Sequence, residues 1–409
     1  MTVEAALDKY EKDITPTKKA FTQRAEAGRV KQLKKFFGKY SLAAVTQDLV
    51  FKRGWIHLGH RSSSGSKKSR LNGGEQMKIL TFCVLAIFLF SARLSFAMDA
   101  IAQAAEISNK VNSELEARQF AALNRIEREY RTHQSRLVDG RWKLTFFYRN
   151  IGPTGEGAGD AEWKNDLHLA DEWIHATPTQ PAPYLAKAKM LINYAWEARG
   201  GGYADTVSPE GWKLFYQRVA KAEQVLQSAP HVIQKDPYWF VEMEAIALAQ
   251  GWPEEQFTRL YKAAVSMAPT YEWLYFGAAQ YYDPHWYGNS AQLRRFVQAA
   301  VQNTKKYEGM TMYARIYWDE INALGDNTFA PGNANWSDMK QGFEDMMAQY
   351  PGSRWNLNAF AYYACLARDW PTTRELMKQL RGQPDLRIWD SKERFDGCKT
   401  VAQSFVGVK

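Results

Sequence analysis

The sequence predicts an all-α fold, an array of stacked helix pairs (an α-solenoid), preceded by a hydrophobic segment and a small basic helical fragment. Apolar residues recur at helical spacing over most of the chain. After Pro181, prolines punctuate the sequence at the ends of the predicted helices, at Ala229-Pro230, Asp236-Pro237, Ala268-Pro269 and Tyr350-Pro351. Pro237 and Pro269 stand 32 residues apart, and Pro269 and Pro351 stand 82 apart, close to two repeats with an insertion.

Residues 1–50 read as helices. Val3, Ala6, Leu7 and Tyr10 share one face, and Thr15-Pro16-Thr17 opens a second helix in which Val30, Leu33, Phe36 and Phe37 repeat. Lys18, Lys19, Arg24, Arg29, Lys31, Lys34 and Lys35 lie with that second helix. They form either a solvated face or a set of DNA phosphate contacts. The string YEKDITPTKKAF…EAGRVKQLKKFFGKYSLAAVTQDLV resembles the start of the core-binding domain of phage-type tyrosine recombinases (integrases). The resemblance implies weak DNA binding by residues 1–50. The catalytic Arg, His, Arg and Tyr of that family belong to a later domain that this chain lacks, so the chain is not an active recombinase. Residues 51–76 follow as a basic linker. Residues 1–76 read as a truncated integrase fragment joined to an unrelated gene, or as a misassigned start.

Residues 77–97, MKILTFCVLAIFLFSARLSFA, have the layout of a secretory signal peptide. Lys78 supplies the positive start, Ile79 to Phe90 a twelve-residue apolar core, and Ser95 and Ala97 the small residues of a cleavage site before Met98. Cleavage places the remainder in the periplasm or outside the cell. Left uncleaved, residues 79–97 anchor the chain in the inner membrane with the body outside the cytoplasm. Arg93 makes the segment short for a span, which needs about 20 apolar residues.

The net charge of +9 belongs to the first segment alone. Residues 1–76 hold 16 Lys and Arg against 7 Asp and Glu, and the rest holds 37 against 37. The body therefore has no electrostatic bias toward nucleic acid, and any DNA contact falls to residues 1–50. The 312 residues after Ala97 suffice for a large core and carry 14 of the 15 Trp.

Residues 98–180 read as N-terminal helices of the body. Leu115, Phe120, Leu123, Ile126 and Tyr130 make one amphipathic helix from Ile101 to Arg131. The string DGRWKLTFFY, Asp139 to Tyr148, fits a short strand and a buried helix start equally. Residues 181–409 read as helical repeats. Counting back from Pro269, Ala264 and Tyr261 take the second-helix packing slots of a tetratricopeptide repeat and Ala245 the small first-helix slot, while Phe257 stands where Ala is usual. The strings DGRWKLTFFY, WEARGGGYADTVSPEGW, YYDPHWYGNS and GMTMYARIYW resemble the bacterial family called domain of unknown function 4034 and its exported, tetratricopeptide-like relatives. That resemblance covers residues 113–405 and implies the architecture, but it carries no activity.

Chemistry is sparse in the sequence. The best candidate site is Trp196 to Val207, where three glycines free the backbone beside Arg199, Tyr203 and Asp205. These residues either pin a loop over Trp196 or present Arg199 and Tyr203 to a peptide or anion. Trp286 sits in the aromatic turn YYDPHWYG, as packing or as a groove wall. Arg315, among aromatics, should meet an acid such as Asp283 or Glu320. His168 and His175, seven apart, lack metal-ligand spacing, so no metal and no cofactor is expected. No Gly-x-Ser-x-Gly elbow or phosphate loop occurs. The readings are an exported, non-enzymatic scaffold for a protein or peptide partner, or an enzyme with a cleft gathering Glu197, Arg199, Asp205 and His285 near Trp286. Cys83 leaves with the signal, and Cys365 and Cys398, one repeat apart, are expected to form a disulfide.

Overall fold

The computed structural model describes residues 5, 7, 8, 12, 34, 99–153, 158–202, 204–320 and 324–405. The chain divides into two units, Met1–Arg61 and Ser62–Lys409. In the first unit the five described residues are helical, and Lys34 pairs with Asp8 at 2.6 Å. Lys18, Lys19, Arg24, Arg29, Lys31 and Lys35 lie outside the described residues, as do the hydrophobic segment 77–97 and the junction at Ala97 and Met98.

The second unit is all helical among its described residues, apart from one isolated β-bridge between Arg136 and Trp142. Its helices are α1 (Ala100–Glu116), α2 (Phe120–Thr132), α3 (Lys143–Tyr148), α4 (Asp160–Ala176), α5 (Ala182–Arg199), α6 (Pro209–Ser228), α7 (Pro237–Gln250) and α8 (Glu254–Met267). They continue as α9 (Glu272–Tyr282), α10 (Ser290–Glu308), α11 (Thr311–Asp319), α12 (Trp336–Gln349), α13 (Arg354–Leu366), α14 (Trp370–Leu380), α15 (Leu386–Trp389) and α16 (Lys392–Ser404). The expected single helix from Ile101 to Arg131 is two. Arg118, at φ 56°, turns the chain so that Leu115 and Phe120 both reach the core.

Local chemistry starts these helices, with Pro209 and Pro237 in the first turns of α6 and α7. Ser208 caps α6 ahead of Pro209, and Asp236 accepts from the amide of Tyr238 ahead of α7. Helices pack in sequence-adjacent pairs: α5 with α6, α7 with α8, α9 with α10, α11 with α12, and α13 with α14. Within this set α5, α7, α9 and α11 also pack on one another in order. The inner helices α7 and α9 are buried on nearly every side, whereas α8 buries only Phe257, Tyr261, Ala264 and Val265. That division explains why α8 reads as amphipathic and α7 as continuously apolar. Ala245 is half-buried; the close approach in α7 is made by Glu244, which lies against Gly277 of α9.

One segment crosses this set. Residues 136–150 form a turn and then α3, with no strand. Tyr148 stacks on Tyr238 of α7 at 4.2 Å, and Thr145 donates to the Tyr271 hydroxyl just before α9 at 2.9 Å. Trp142 donates its amide to Glu272 and its indole N–H to the Thr270 carbonyl, both at 2.9 Å. The Asp139 carbonyl accepts from Arg315 of α11 at 2.8 Å and from Asn356 of α13 at 3.2 Å. Chain positions 148 to 139 thus meet α7, α9, α11 and α13 in turn. The tightest point is Gly140, at φ +91°, where a Cβ would lie 2.3 Å from the Tyr350 ring and 2.7 Å from Arg315. Gly140→Ala is expected to destabilise the body by well over about 1 kcal/mol, through backbone strain and displacement of Tyr350. Chemical denaturation measures this; an unchanged midpoint contradicts the role given to the turn.

Candidate functional site

Two of the residues singled out in the sequence come together at the C-terminal ends of α5, α7 and α9. Arg199 closes α5. Its guanidinium lies 5.3 Å from the Trp196 ring and 5.1 Å from the Trp212 ring, and it donates to the carbonyls of Gly200 and Gly202 at 3.1 and 3.0 Å. Burial between these rings pulls its pKa below the ordinary arginine value. Trp286, in the turn after α9, meets Trp196 edge-on at 5.9 Å. The turn is built by Asp283, whose carboxylate accepts the His285 amide at 2.7 Å and contacts the His285 ring at 2.8 Å. Gly288 closes it, where a Cβ would stand 2.0 Å from the Tyr282 carbonyl oxygen.

Around this junction lies an aromatic face built from residues far apart in sequence. Trp212 and Tyr216, one helical turn apart on α6, stack at 5.5 Å. Tyr287 donates to the Leu248 carbonyl at the end of α7 at 2.8 Å and is within electrostatic reach of Tyr216. Tyr216 is 52% exposed and Tyr287 47% exposed. A face of this kind joins elements distant in sequence, so only the i, i+4 pair on α6 was open to periodicity. Large rings held half out of the core, beside an arginine, are the side chains that anchor protein contacts.

The other candidates are placed differently. Tyr203 lies outside the described residues, and Asp205 is exposed and makes no ion pair with Arg199 among them. Arg315 is not part of this face: it is buried and donates to the Asp139 carbonyl. The acids it stabilises are Glu272 and Glu308, not the expected Asp283 or Glu320. Glu197 accepts from the Trp163 indole at 2.7 Å, and among the described residues no hydrogen bond or ion pair joins Glu197, Arg199, Asp205 and His285 to one another. Among the described residues no three His, Cys, Asp or Glu side chains form a group able to hold a metal ion. His168 contacts Glu172 at 3.3 Å on the surface. No helix of the described residues is long and apolar enough to cross a membrane. Comparison with family models, curated proteins and solved structures finds no match.

Below the turn, Asp283 faces Glu320 at the end of α11. Burial, then the negative charges of Asp319 and Asp283, push the Glu320 carboxyl from 4.5 up to about 9. The folded protein keeps that proton up to high pH, while the unfolded chain releases it near the ordinary carboxyl value. The group's contribution is therefore full at acidic pH and declines as pH rises toward 9. Glu320→Gln is expected to flatten the fall in melting temperature between about pH 5 and about pH 8.5, read by calorimetry. A parallel fall in both proteins contradicts the pairing. Trp286, half-buried rather than core, makes a second expectation: Trp286→Ala costs about 1–2 kcal/mol, against about 3–5 for a fully buried Trp. Denaturant titration decides between the two.

Proposed function

We propose that the body is a tetratricopeptide-like array of helix pairs, exported after cleavage between Ala97 and Met98, that serves as a non-enzymatic scaffold for a protein or peptide partner. The observation that carries this reading is the aromatic face. Tyr216 and Tyr287 stand about half exposed beside Arg199, Trp212 and Trp286. Aromatic and arginine side chains are enriched where proteins meet, because each brings large contact area with a polar handle. The succession of helix pairs supports the repeat reading, since each pair buries one face against the next. A pair of Cys in the body is in keeping with an oxidising compartment.

The test uses the exported body as bait in periplasmic extract of its native cell. Wild type is expected to retain a discrete polypeptide by cross-linking and mass spectrometry. The double variant Tyr216→Ala/Tyr287→Ala, checked for an unchanged circular dichroism spectrum, is expected to lose it. Equal recovery by both proteins rejects the face as the partner site.

A further inference from the structure

The aromatic face has a hydrogen-bonding character that narrows what it can hold. Its side chains form an unbroken succession. Tyr216 stacks on Trp212 at 5.5 Å, Arg199 lies 5.1 Å from Trp212 and 5.3 Å from Trp196, Trp196 meets Trp286 at 5.9 Å, and Trp286 adjoins Tyr287 at 6.4 Å. Trp196, Trp212 and Trp286 are half-buried, and none of their indole N–H groups makes a hydrogen bond among the described residues. The Trp239 and Trp273 indole nitrogens are buried without a partner, whereas these three keep surface open to solvent. The Tyr216 hydroxyl is likewise unbonded among the described residues, on a side chain that is mostly exposed.

Arg199 adds a charge with one free edge. Its Nη1 donates to the carbonyls of Gly200 and Gly202. Its Nε and Nη2 make no hydrogen bond, and no carboxylate pairs with it, among the described residues. Nε and Nη2 together are the fork that holds a carboxylate through two parallel bonds. Indole N–H and guanidinium groups donate and never accept, so among these side chains only the two phenol oxygens can accept. The face is therefore made of rings, donors and one positive charge that has no counter-charge among the described residues.

That inventory selects among peptide conformations. An extended strand brings backbone N–H groups that need acceptors. A helix pairs its N–H and C=O groups within itself, and would leave the indole donors unused. A polyproline II segment has no internal hydrogen bonds, and its prolines carry no N–H, so it presents carbonyl acceptors between apolar rings. We infer that the aromatic face binds a proline-rich segment of the partner in the polyproline II conformation. Its carbonyls accept from the Trp212 and Trp286 indoles, its proline rings lie against Tyr216 and Tyr287, and an Asp or Glu meets the free edge of Arg199. The inference rests on the reading of this face as the partner site and names the chemistry of what it takes.

Calorimetric titration of the exported body tests it with defined probes: an end-capped oligoproline carrying one central Glu, the same peptide with Lys for Glu, the same peptide with Ala for every Pro, and chitohexaose. The Glu oligoproline is expected to bind saturably, and the Lys peptide at least about tenfold more weakly. Trp212→Phe/Trp286→Phe keeps two rings and removes two donors, and is expected to lower affinity about tenfold or more. Arg199→Gln is expected to erase the preference for Glu over Lys. The comparison of probes uses wild type only, so it stands even where a variant fails to fold. Failure of the Glu oligoproline to bind at millimolar concentration overturns the inference. So does equal binding of the alanine peptide or of chitohexaose, and so does undiminished binding by the folded Trp212→Phe/Trp286→Phe variant. The two readings fail separately. Loss of the captured polypeptide in Tyr216→Ala/Tyr287→Ala, with no oligoproline binding by wild type, leaves the face as partner site and overturns its proline-rich ligand. Oligoproline binding by that variant as tight as by wild type puts the peptide elsewhere and overturns the inference.

Discussion

The carbonyl of Asp139 is the point on which the packing of this body turns. It accepts from the guanidinium of Arg315 and from the amide of Asn356, two side chains on helices that otherwise belong to different pairs. Arg315 is only 5% exposed, so its charge must be met inside the protein. The turn meets it with a backbone oxygen, and Glu272 and Glu308 add negative charge nearby. The Asp139 carboxylate is itself held by the backbone amide and guanidinium of Arg141, at 3.0 and 2.6 Å. Removing any one of these groups would leave a buried donor or acceptor without its partner, which is more costly than the bond itself is worth. The segment 136–150 is therefore an internal brace rather than a connector.

The same crowding accounts for the unusual number of acids in the interior. Inner helices such as α7 are buried on nearly every side, so positions that would be polar and wet on an outer helix become core. Glu244 is 2% exposed, has neither oxygen hydrogen-bonded among the described residues, and is driven well above the ordinary carboxyl range by burial alone. Asp236, which receives the Tyr148 hydroxyl at 3.2 Å, is raised by burial and then by Glu127, with Arg131 opposing at 3.6 Å. A carboxyl in such a place survives by holding its proton or by sharing an arginine. Glu320 follows the same rule at the end of α11, where it faces Asp283 of the aromatic turn.

Helix class was legible because it is local: periodic apolar residues, capping Ser and Asp, and prolines at helix starts are read within one turn of chain. The all-α class follows from those signals, whereas the individual helix starts were not assigned from them. The break at Arg118 did not, because a left-handed residue other than glycine leaves no mark in composition. The brace was illegible for a different reason. Its contacts join residues 88 to 217 positions apart, from Tyr148 with Asp236 to Asp139 with Asn356, and no periodicity encodes them. The sequence marks Arg315 as a buried arginine, which it is; an acid is its expected hydrogen-bond partner, but the Asp139 carbonyl oxygen takes that place. At the aromatic face, the sequence marks Arg199 and Trp286 in separate segments. Their meeting through Trp196 depends on how the turn after α9 folds back on α5.

Within the second unit, the helices before Pro181 and those after it are consequently not separable. Asp99, one residue before α1, pairs with Arg387 of α15 at 2.9 Å, and α3 lies inside the set formed by residues 181–409. Cys365 of α13 and Cys398 of α16 are joined as a disulfide with their Cα atoms 5.9 Å apart, so the last helix is fastened to an inner one rather than free at one edge. With the ends tied, the brace covers the starts of α7 and α9. What stays open on those helices is their other end. There Tyr287 reaches the Leu248 carbonyl and Tyr216 stacks on Trp212 in solvent. The same residues that brace the interior therefore determine which end of those helices stays open.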